Sequence, residues 1–537
     1  MATFSNKIGQ DIEIKSIVGH NINQRTNDSR QITSLNIVFP GLDNLGNVNT
    51  VTPNGSAYSR RRLWAVFADV TANYKDYLSV NATLRNDNSS TLPEANRSYF
   101  YYSGSLSFSV TDAFKNLKSD WLNSLRLRAS MGRVGRDADP YRVFSVYTVN
   151  PKQFLAASND VDFPFKGIPG MIPNINNVIY DPNLKPEFTN ETEAGFAVDA
   201  WKNKISFDFT YYNRLTTQAI GSKSIAQSSG AGSFYTNLGD IRNSGIEASL
   251  SITPVELTNS FRWNVTTVFT RNISKVESLG GVEELSVRPL LTTLSPVLRV
   301  GQPYGVIRGD VPMKDPATGQ FLVDPTTGFY MTSTTQQVIG DPNPDFLLGL
   351  TNTFSYKGFT LSALIDYKHG GDFYSQTIQF LMGRGTIKEN DTRDIPRVLP
   401  GLLGDRATEK PLLNAEGKTI TNNMQVNENN LWFNGGLAIN APNYFSIFDG
   451  TVIRLREVSL GYSVPKTWLD KNFIGKYIGA ISINVTGRNL WFYAPNIPQA
   501  ANMDPELSSL GASNAQGFDF FGLPSVRRYG FNLRVTF

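Results

Sequence analysis

The chain has no cysteine and only two histidines, His20 and His369. This removes disulfide frameworks, thiolate chemistry and Cys/His zinc sites, and it leaves little from which to assemble a Ser-His-Asp triad. No run of about 18 consecutive apolar residues occurs, so no transmembrane helix is encoded. The opening Met1-Ala2-Thr3-Phe4-Ser5-Asn6-Lys7 lacks the charged start and apolar stretch of a secretory signal. Charge is also sparse, at 18% of residues against roughly 25% in an average soluble domain. With 50 basic and 46 acidic residues the net charge is +4, too near balance to imply nucleic acid or a polybasic membrane patch. The one basic cluster, Arg60, Arg61 and Arg62, reads as the start of a strand.

Aromatics are abundant, with 34 Phe, 22 Tyr and 7 Trp, and uncharged polar residues fill the gap left by charge. That mixture suits a sheet with one apolar and one hydrated face, as a transmembrane barrel requires. It suits a secreted sandwich or propeller equally. A length of 537 residues would ordinarily mean about three or four globular units, with large barrels the known exception.

Periodicity is more decisive. Tyr529, Phe531, Leu533, Val535 and Phe537 alternate with Gly530, Asn532, Arg534 and Thr536, an apolar row on one face and a polar row on the other. The same code appears in Ile205-Phe207-Phe209-Tyr211, Ile246-Ala248-Leu250-Ile252, Leu125-Leu127-Ala129-Met131 and Phe359-Leu361-Ala363-Ile365-Tyr367. From residue 192 onward the predicted strands are 192–200, 203–213, 242–252, 261–272, 346–356, 359–370, 450–464, 480–492 and 526–537. Their links alternate between short (202–203, 253–260, 357–358, 465–479) and long (214–241, 273–345, 371–449, 493–525). Short periplasmic turns facing long external loops are a property of membrane barrels, whereas a sandwich does not sort loop length by edge. Earlier strands are expected at 10–20, 31–38, 63–73, 77–85, 101–110 and 121–131, before a long loop at 132–191. Within 450–464 the apolar phase slips between Leu455 and Val458, which predicts a β-bulge at Arg456-Glu457.

The total is about fifteen, and complete single-chain bacterial barrels have even counts. If Phe537 ends on the periplasmic side, Met1 begins in an external loop. The expectation is therefore a piece of a longer protein.

Several stretches, in order, resemble the SusC/RagA-like family of TonB-dependent outer-membrane receptors. They are Leu125-Arg126-Leu127-Arg128-Ala129-Ser130-Met131-Gly132, Asp181-Pro182-Asn183-Leu184-Lys185-Pro186-Glu187, Asn243-Ser244-Gly245-Ile246-Glu247 and Ile339-Gly340-Asp341-Pro342-Asn343-Pro344-Asp345-Phe346. Further on come Phe354-Ser355-Tyr356-Lys357-Gly358-Phe359, Ile453-Arg454-Leu455-Arg456-Glu457-Val458-Ser459-Leu460-Gly461-Tyr462 and Gly487-Arg488-Asn489-Leu490-Trp491. The resemblance implies an all-β, antiparallel transmembrane β-barrel in the cell outer membrane, of which 1–537 is the C-terminal part, about 15 of roughly 22 strands. It implies a plug domain, signal peptide and TonB-contacting segment outside this chain. The implied partners are outer-membrane lipid, a SusD-like lipoprotein lid, TonB through the missing N-terminal region, and an oligosaccharide or peptide ligand. Neither cofactor nor catalytic residue is implied.

Candidate sites follow. Loop aromatics Tyr180, Phe234, Tyr235, Tyr374, Trp432, Phe433, Tyr444 and Phe445 can stack on sugar rings or peptide side chains, although packing within the loops or against a lid is favoured for any single one. Asp315-Pro316-Ala317-Thr318-Gly319 recurs as Asp324-Pro325-Thr326-Thr327-Gly328, turn chemistry that predicts a hairpin with two similar turns rather than a calcium loop. His369 in His369-Gly370-Gly371-Asp372 reads as a polar rim residue. Gly132-Arg133-Val134-Gly135-Arg136 lacks the strand-helix setting of a phosphate loop. No paired carboxylates form a glycosidase constellation. The last strand, Tyr529 to Phe537, resembles a barrel-assembly signal. Two other readings stay open: a passive porin-like or adhesin barrel, and a secreted carbohydrate-binding β-protein.

Overall fold

The computed structural model describes residues 1–537 except 145–146, 151–169, 174–177, 230, 258–259, 289, 393–394, 434–436, 439–440 and 512. Fifteen strands succeed one another along one sheet, each beside the next in sequence. They are β1 (Ala2–Ile8), β2 (Ile12–Ile37), β3 (Val48–Tyr74), β4 (Leu78–Ser89), β5 (Ser98–Ser109), β6 (Leu122–Arg136), β7 (Glu187–Ala200), β8 (Ile205–Ser224), β9 (Ser233–Glu256), β10 (Phe261–Ser278), β11 (Pro344–Tyr356), β12 (Phe359–Gly370), β13 (Val452–Ser463), β14 (Ala480–Tyr493) and β15 (Arg528–Thr536). The pairs β1·β2 to β4·β5 and β10·β11 to β14·β15 run antiparallel. A short segment, Val178–Tyr180, adds to β9 in parallel.

Links sort by edge. One edge carries 9–11, 75–77, 110–121, 201–204, 257–260, 357–358 and 464–479; the other carries 38–47, 90–97, 137–186, 225–232, 279–343, 371–451 and 494–527. Residues 145–146, 151–169 and 174–177 of the expected loop 132–191, and 258–259 of the expected turn 253–260, lie outside the described residues.

Several boundaries differ from expectation, most of them because the ladder runs past the apolar alternation, as where β3 begins at Val48 rather than at 63. The segments 10–20 and 31–38 are a single strand, β2, whose polar middle stays in register with β3 from Asn21↔Ala65 to Arg30↔Ser56. The expected loop 214–241 is mostly the far ends of β8 and β9, leaving 225–232 as its link. β1 sets Ala2, Phe4 and Ile8 against Thr3, Ser5 and Lys7, an alternation broken at Asn6, and was not expected at all. A two-stranded ladder continues wherever backbone N–H and C=O groups can pair, whatever the side chains are, so the ladder outruns the apolar code that reveals it. One strand too many and one too few cancel in the count of fifteen.

The chain packs as two compact units: residues 1–109, 128–194 and 214–241, and residues 110–127, 195–213 and 242–537. In the first, register lines up Val18, Ala68, Leu84 and Tyr102 on one face, and Ile14, Ala72, Val80 and Leu106 beside them. Val18, Leu84, Tyr102, Val80 and Leu106 are exposed, so no second protein layer covers that face. The opposite face is polar and mutually bonded. Asp69 accepts from Asn81 (3.0 Å) and Thr83 (2.6 Å), and Asp87 accepts from Arg85 (2.7 Å) and Tyr101 (3.0 Å).

In the second unit the apolar row runs Phe354, Leu361, Leu460, Val485, Phe531, with Tyr356, Phe359, Tyr462, Ile483, Leu533 alongside. The bulge falls where the phase slip placed it: Leu364 pairs Glu457 and Ile365 pairs Leu455, which leaves Arg456 as the extra residue. Such a face is stable against lipid and a liability in water.

Gly245 in Asn243-Ser244-Gly245-Ile246-Glu247 has a local cause. A Cβ there would stand 2.2 Å from the Arg271 carbonyl oxygen and 2.6 Å from the Tyr212 hydroxyl, whereas a Cβ on Gly349 would meet nothing within 4 Å. We expect Gly245→Ala to lower stability by about 2 kcal/mol or more through backbone displacement, and Gly349→Ala to change it by less than about 1 kcal/mol. Urea unfolding midpoints in detergent check both.

Candidate functional site

The long-link edge is built on a repeated device, Asp-Pro-x, in which the carboxylate of Asp accepts the N–H two residues on. Proline fixes its own φ and keeps the preceding Asp extended, which aims the carboxylate forward. It occurs at Asp181 (Asn183 N–H, 2.8 Å), Asp315 (Ala317, 3.3 Å), Asp324 (Thr326, 2.7 Å), Asp341 (Asn343, 3.0 Å) and Asp504 (Glu506, 3.0 Å). The two Asp-Pro-x-Thr-Gly segments form the expected pair of like turns. Gly319 and Gly328 each have φ +72° and donate back to the carbonyls of Asp315 and Asp324 at 2.8 Å. A third such turn escaped the sequence reading because it lacks both Pro and Gly: Asp405 accepts from Ala407 and Thr408 (2.9 Å each), and Glu409 takes φ +56°. Hydrogen bonding from Thr318 holds the Asp315 carboxyl below the usual range. Among the described residues no group of three or more His, Asp or Glu could hold a metal.

These turns hold two small cores in the second unit, one of Met313, Leu322, Met331 and Leu402, the other of Val323, Tyr330, Leu399, Val426 and Leu431. Tyr444 and Phe445 pack onto this ground. Phe445 stacks on Tyr330 at 5.3 Å, Tyr444 meets Phe321 edge-on at 6.2 Å, and the Lys314 ammonium lies over Phe321 and Tyr444 at 5.1 and 5.8 Å. Tyr444 keeps an exposed side and lines a cavity of about 370 Å³ with Lys314, Ser333, Gln337 and Glu409.

The remaining aromatics are placed separately. Tyr374 is 1% exposed, donates to Gln379 and packs on Phe518 and Phe520; burial pushes its hydroxyl up to about 12. Packing is thus what its ring does. Trp432 is half-buried and donates to Glu428 (3.4 Å), and Phe433 is exposed under the Arg384 guanidinium. In the first unit Tyr180 and Tyr235 meet edge-on at 5.8 Å, with Arg142 donating to the Tyr180 hydroxyl (2.9 Å) and lying 5.9 Å from both ring centres. Phe234 is half-buried beside them. His369 contacts the Tyr367 hydroxyl (3.1 Å) and lies 3.8 Å from Asp345.

The sequence reading passed over an ion cluster. Arg454, only 4% exposed, bonds to Asp504 and lies 3.8 Å from Asp366; Arg456 forks onto Glu506 (2.7 and 2.9 Å) and also reaches Asp366. Strand alternation supplies the geometry, because Arg454 and Arg456, two residues apart, face the same side, and the shifted register begins only after them, at Glu457. No local pattern could have paired Arg454 with a partner 50 residues away.

The sequence profile described as "TonB dependent receptor-like, beta-barrel" matches residues 3–372. The chain belongs to this TonB-dependent receptor β-barrel family. Curated relatives are TonB-dependent receptor P26 of Formosa agariphila, 26% identical over 99% of this chain and 52% of its own length, and TonB-dependent receptor P3 of the same organism, 24% identical over 91% and 47%. The chain thus spans about half the length of the curated relatives it matches. Among solved structures, a chain of the RagAB peptide transporter superposes with TM-score 0.70 at 18% identity, covering 100% of this chain and 54% of that one. The same importer in its "open-open" state gives 0.69 at 17% identity, covering 100% and 54%. These likenesses establish a shared fold with a receptor barrel.

For this barrel we expect Arg454→Gln, which strands the buried Asp504 carboxylate, to cost about 3–5 kcal/mol, and Arg456→Gln, at a half-hydrated pair, no more than about 1 kcal/mol. The Arg456 hydrogen bond holds the Glu506 carboxyl below its usual range, with partial burial opposing and Arg454 assisting. A depressed carboxyl stabilises the fold above its unfolded value, and that contribution disappears as pH falls through the folded value. Denaturation of wild type between pH 7 and pH 3 should therefore lose stability that Arg456→Gln never had; equal acid-side slopes would contradict the assignment.

Proposed function

We propose that this chain forms the wall and external capture loops of an outer-membrane importer, multi-pass in the membrane, taking up oligosaccharide or peptide ligands. The observation that carries the reading is that the longest links of the second unit, 279–343 and 371–451, lie on one edge and fold into small cores with half-exposed aromatics, while no link opposite them exceeds 464–479 in length. Membership of the TonB-dependent receptor family supports import driven from the periplasm, with a plug and TonB-contacting segment acting alongside this wall and a SusD-like lipoprotein as lid. The fold shared with the RagAB peptide transporter supports the same reading. Ligand is captured by stacking on Tyr180, Phe234, Tyr235, Trp432 and Tyr444 and is passed inward unchanged. Tyr374 serves by bracing the loops from within.

The experiment is uptake of fluorescent oligosaccharides and fluorescent peptides by cells producing the whole receptor. One class should accumulate against its gradient only with an energised TonB system. Tyr444→Ala should raise the half-saturating concentration about 2- to 10-fold, the range of one lost aromatic contact. Equilibration of both classes without energy coupling would instead establish the porin-like reading.

A further inference from the structure

The nearly balanced charge of the chain conceals a local imbalance. In the second unit, five links lie on the short-turn edge: 110–121, 201–204, 257–260, 357–358 and 464–479. Together they contain eight lysines (115, 118, 202, 204, 357, 466, 471 and 476), no arginine, and three aspartates (112, 120 and 470), an excess of 8 − 3 = +5. The whole chain, with ninety-six charged residues by 50 + 46, nets only +4. Two lysines approach aspartates of the same edge, Lys202 to Asp120 at 3.1 Å and Lys118 to Asp112 at 3.9 Å. Lys115, Lys204, Lys357, Lys466, Lys471 and Lys476 have no carboxylate partner among the described residues.

The same links expose large aromatics. Trp121, Trp201 and Trp468 are 73%, 68% and 53% exposed, and Phe114, Tyr356 and Tyr477 are exposed beside them. The two kinds of side chain are interleaved. The Lys357 ammonium lies 5.2 Å from the Tyr356 ring centre, and Lys476 lies 5.8 Å from that of Tyr477. Trp201 N–H donates to the Trp121 carbonyl (3.2 Å), which joins two neighbouring turns. Free-standing tryptophans in water are costly, whereas at the boundary of a bilayer their rings sit among headgroups, and flexible lysine stems carry ammonium groups outward to lipid phosphates. The all-lysine choice fits this: a compact charge on a mobile stem follows a fluid phosphate layer, while the rigid fork of arginine suits the fixed carboxylates met by Arg454 and Arg456.

We propose that the short-turn edge of this unit is a docking surface for the headgroup layer of anionic glycerophospholipid, with Trp121, Trp201 and Trp468 at the interface and the unpaired lysines meeting phosphates. The inference rests on the membrane-wall reading above and adds a lipid preference to it.

The test is tryptophan quenching in the whole receptor, reconstituted in nanodiscs that contain either brominated phosphatidylglycerol or brominated phosphatidylcholine. Wild type at low salt should favour the anionic lipid about three- to tenfold. The preference should shrink toward unity in 0.5 M salt, where charges are screened beyond about 4–5 Å. It should also shrink at low salt in the variant combining Lys357→Gln, Lys466→Gln, Lys471→Gln and Lys476→Gln, all at exposed positions. Equal quenching by both lipids in wild type, or a preference that survives both salt and the substitutions, overturns the proposal and leaves the membrane reading intact. Absence of quenching by either lipid overturns both.

Discussion

Cross-strand pairing of backbone N–H and C=O groups is the constraint on which everything else in this structure depends. It holds fifteen successive strands together while one face within each unit, from Val18 across to Tyr102 in the first and from Phe354 across to Phe531 in the second, presents apolar side chains to no protein layer. A soluble sheet buries such a face against another layer. Lipid permits it to remain uncovered, provided that every backbone polar group finds a partner within the sheet. The opposite face then has to be polar and internally satisfied, as it is around Asp69 and Asp87.

The edges divide the remaining work. Where connections are shortest, as at 201–204 and 357–358, the chain holds little beyond turn residues, a tryptophan and lysines. Where they are long, it folds again, using Asp-Pro-x turns as corners and small cores such as Met313, Leu322, Met331 and Leu402 as fillers. The Arg454–Asp504 and Arg456–Glu506 pairs tie loop 494–527 to β13 and, through Asp366, to β12. Because Arg454 and Asp504 are buried together, their pairing serves to place the loop more than to stabilise the fold, since a buried ion pair recovers little beyond its own desolvation.

Most of this was legible in the residues, and the exceptions share a cause. Alternation located most strands with an apolar face, though not β1, and located the bulge at Arg456, because a one-residue slip moves a whole apolar row to the wrong face. It failed where the ladder continues beyond that face: Asn21 to Arg30 and the far ends of β8 and β9 are strand by backbone pairing alone. Turn chemistry was legible at Asp315 and Asp324, where Pro and Gly mark the corners, and invisible at Asp405, where Glu409 adopts the left-handed conformation instead. Among the ligand candidates, composition could mark Tyr374 and Tyr444 alike as loop aromatics. Only packing tells that the first is sealed inside a core while the second borders a cavity. The ion cluster depends on residues about 50 to 90 positions apart, which no local window joins. The lysines of the short links stand out only when charge is counted link by link rather than summed over the chain.

The central claim is that the apolar face meets lipid and the polar face meets water. Spin labels at single-cysteine substitutions of Val80, Asn81, Ala82, Thr83, Leu84 and Arg85, in the bilayer-reconstituted whole receptor, test it most directly through collision with membrane-dissolved oxygen and with a water-soluble nickel chelate. The account predicts a period of two, with oxygen dominant at Val80, Ala82 and Leu84 and the chelate dominant at Asn81, Thr83 and Arg85. Equal access of the chelate to all six positions would contradict it.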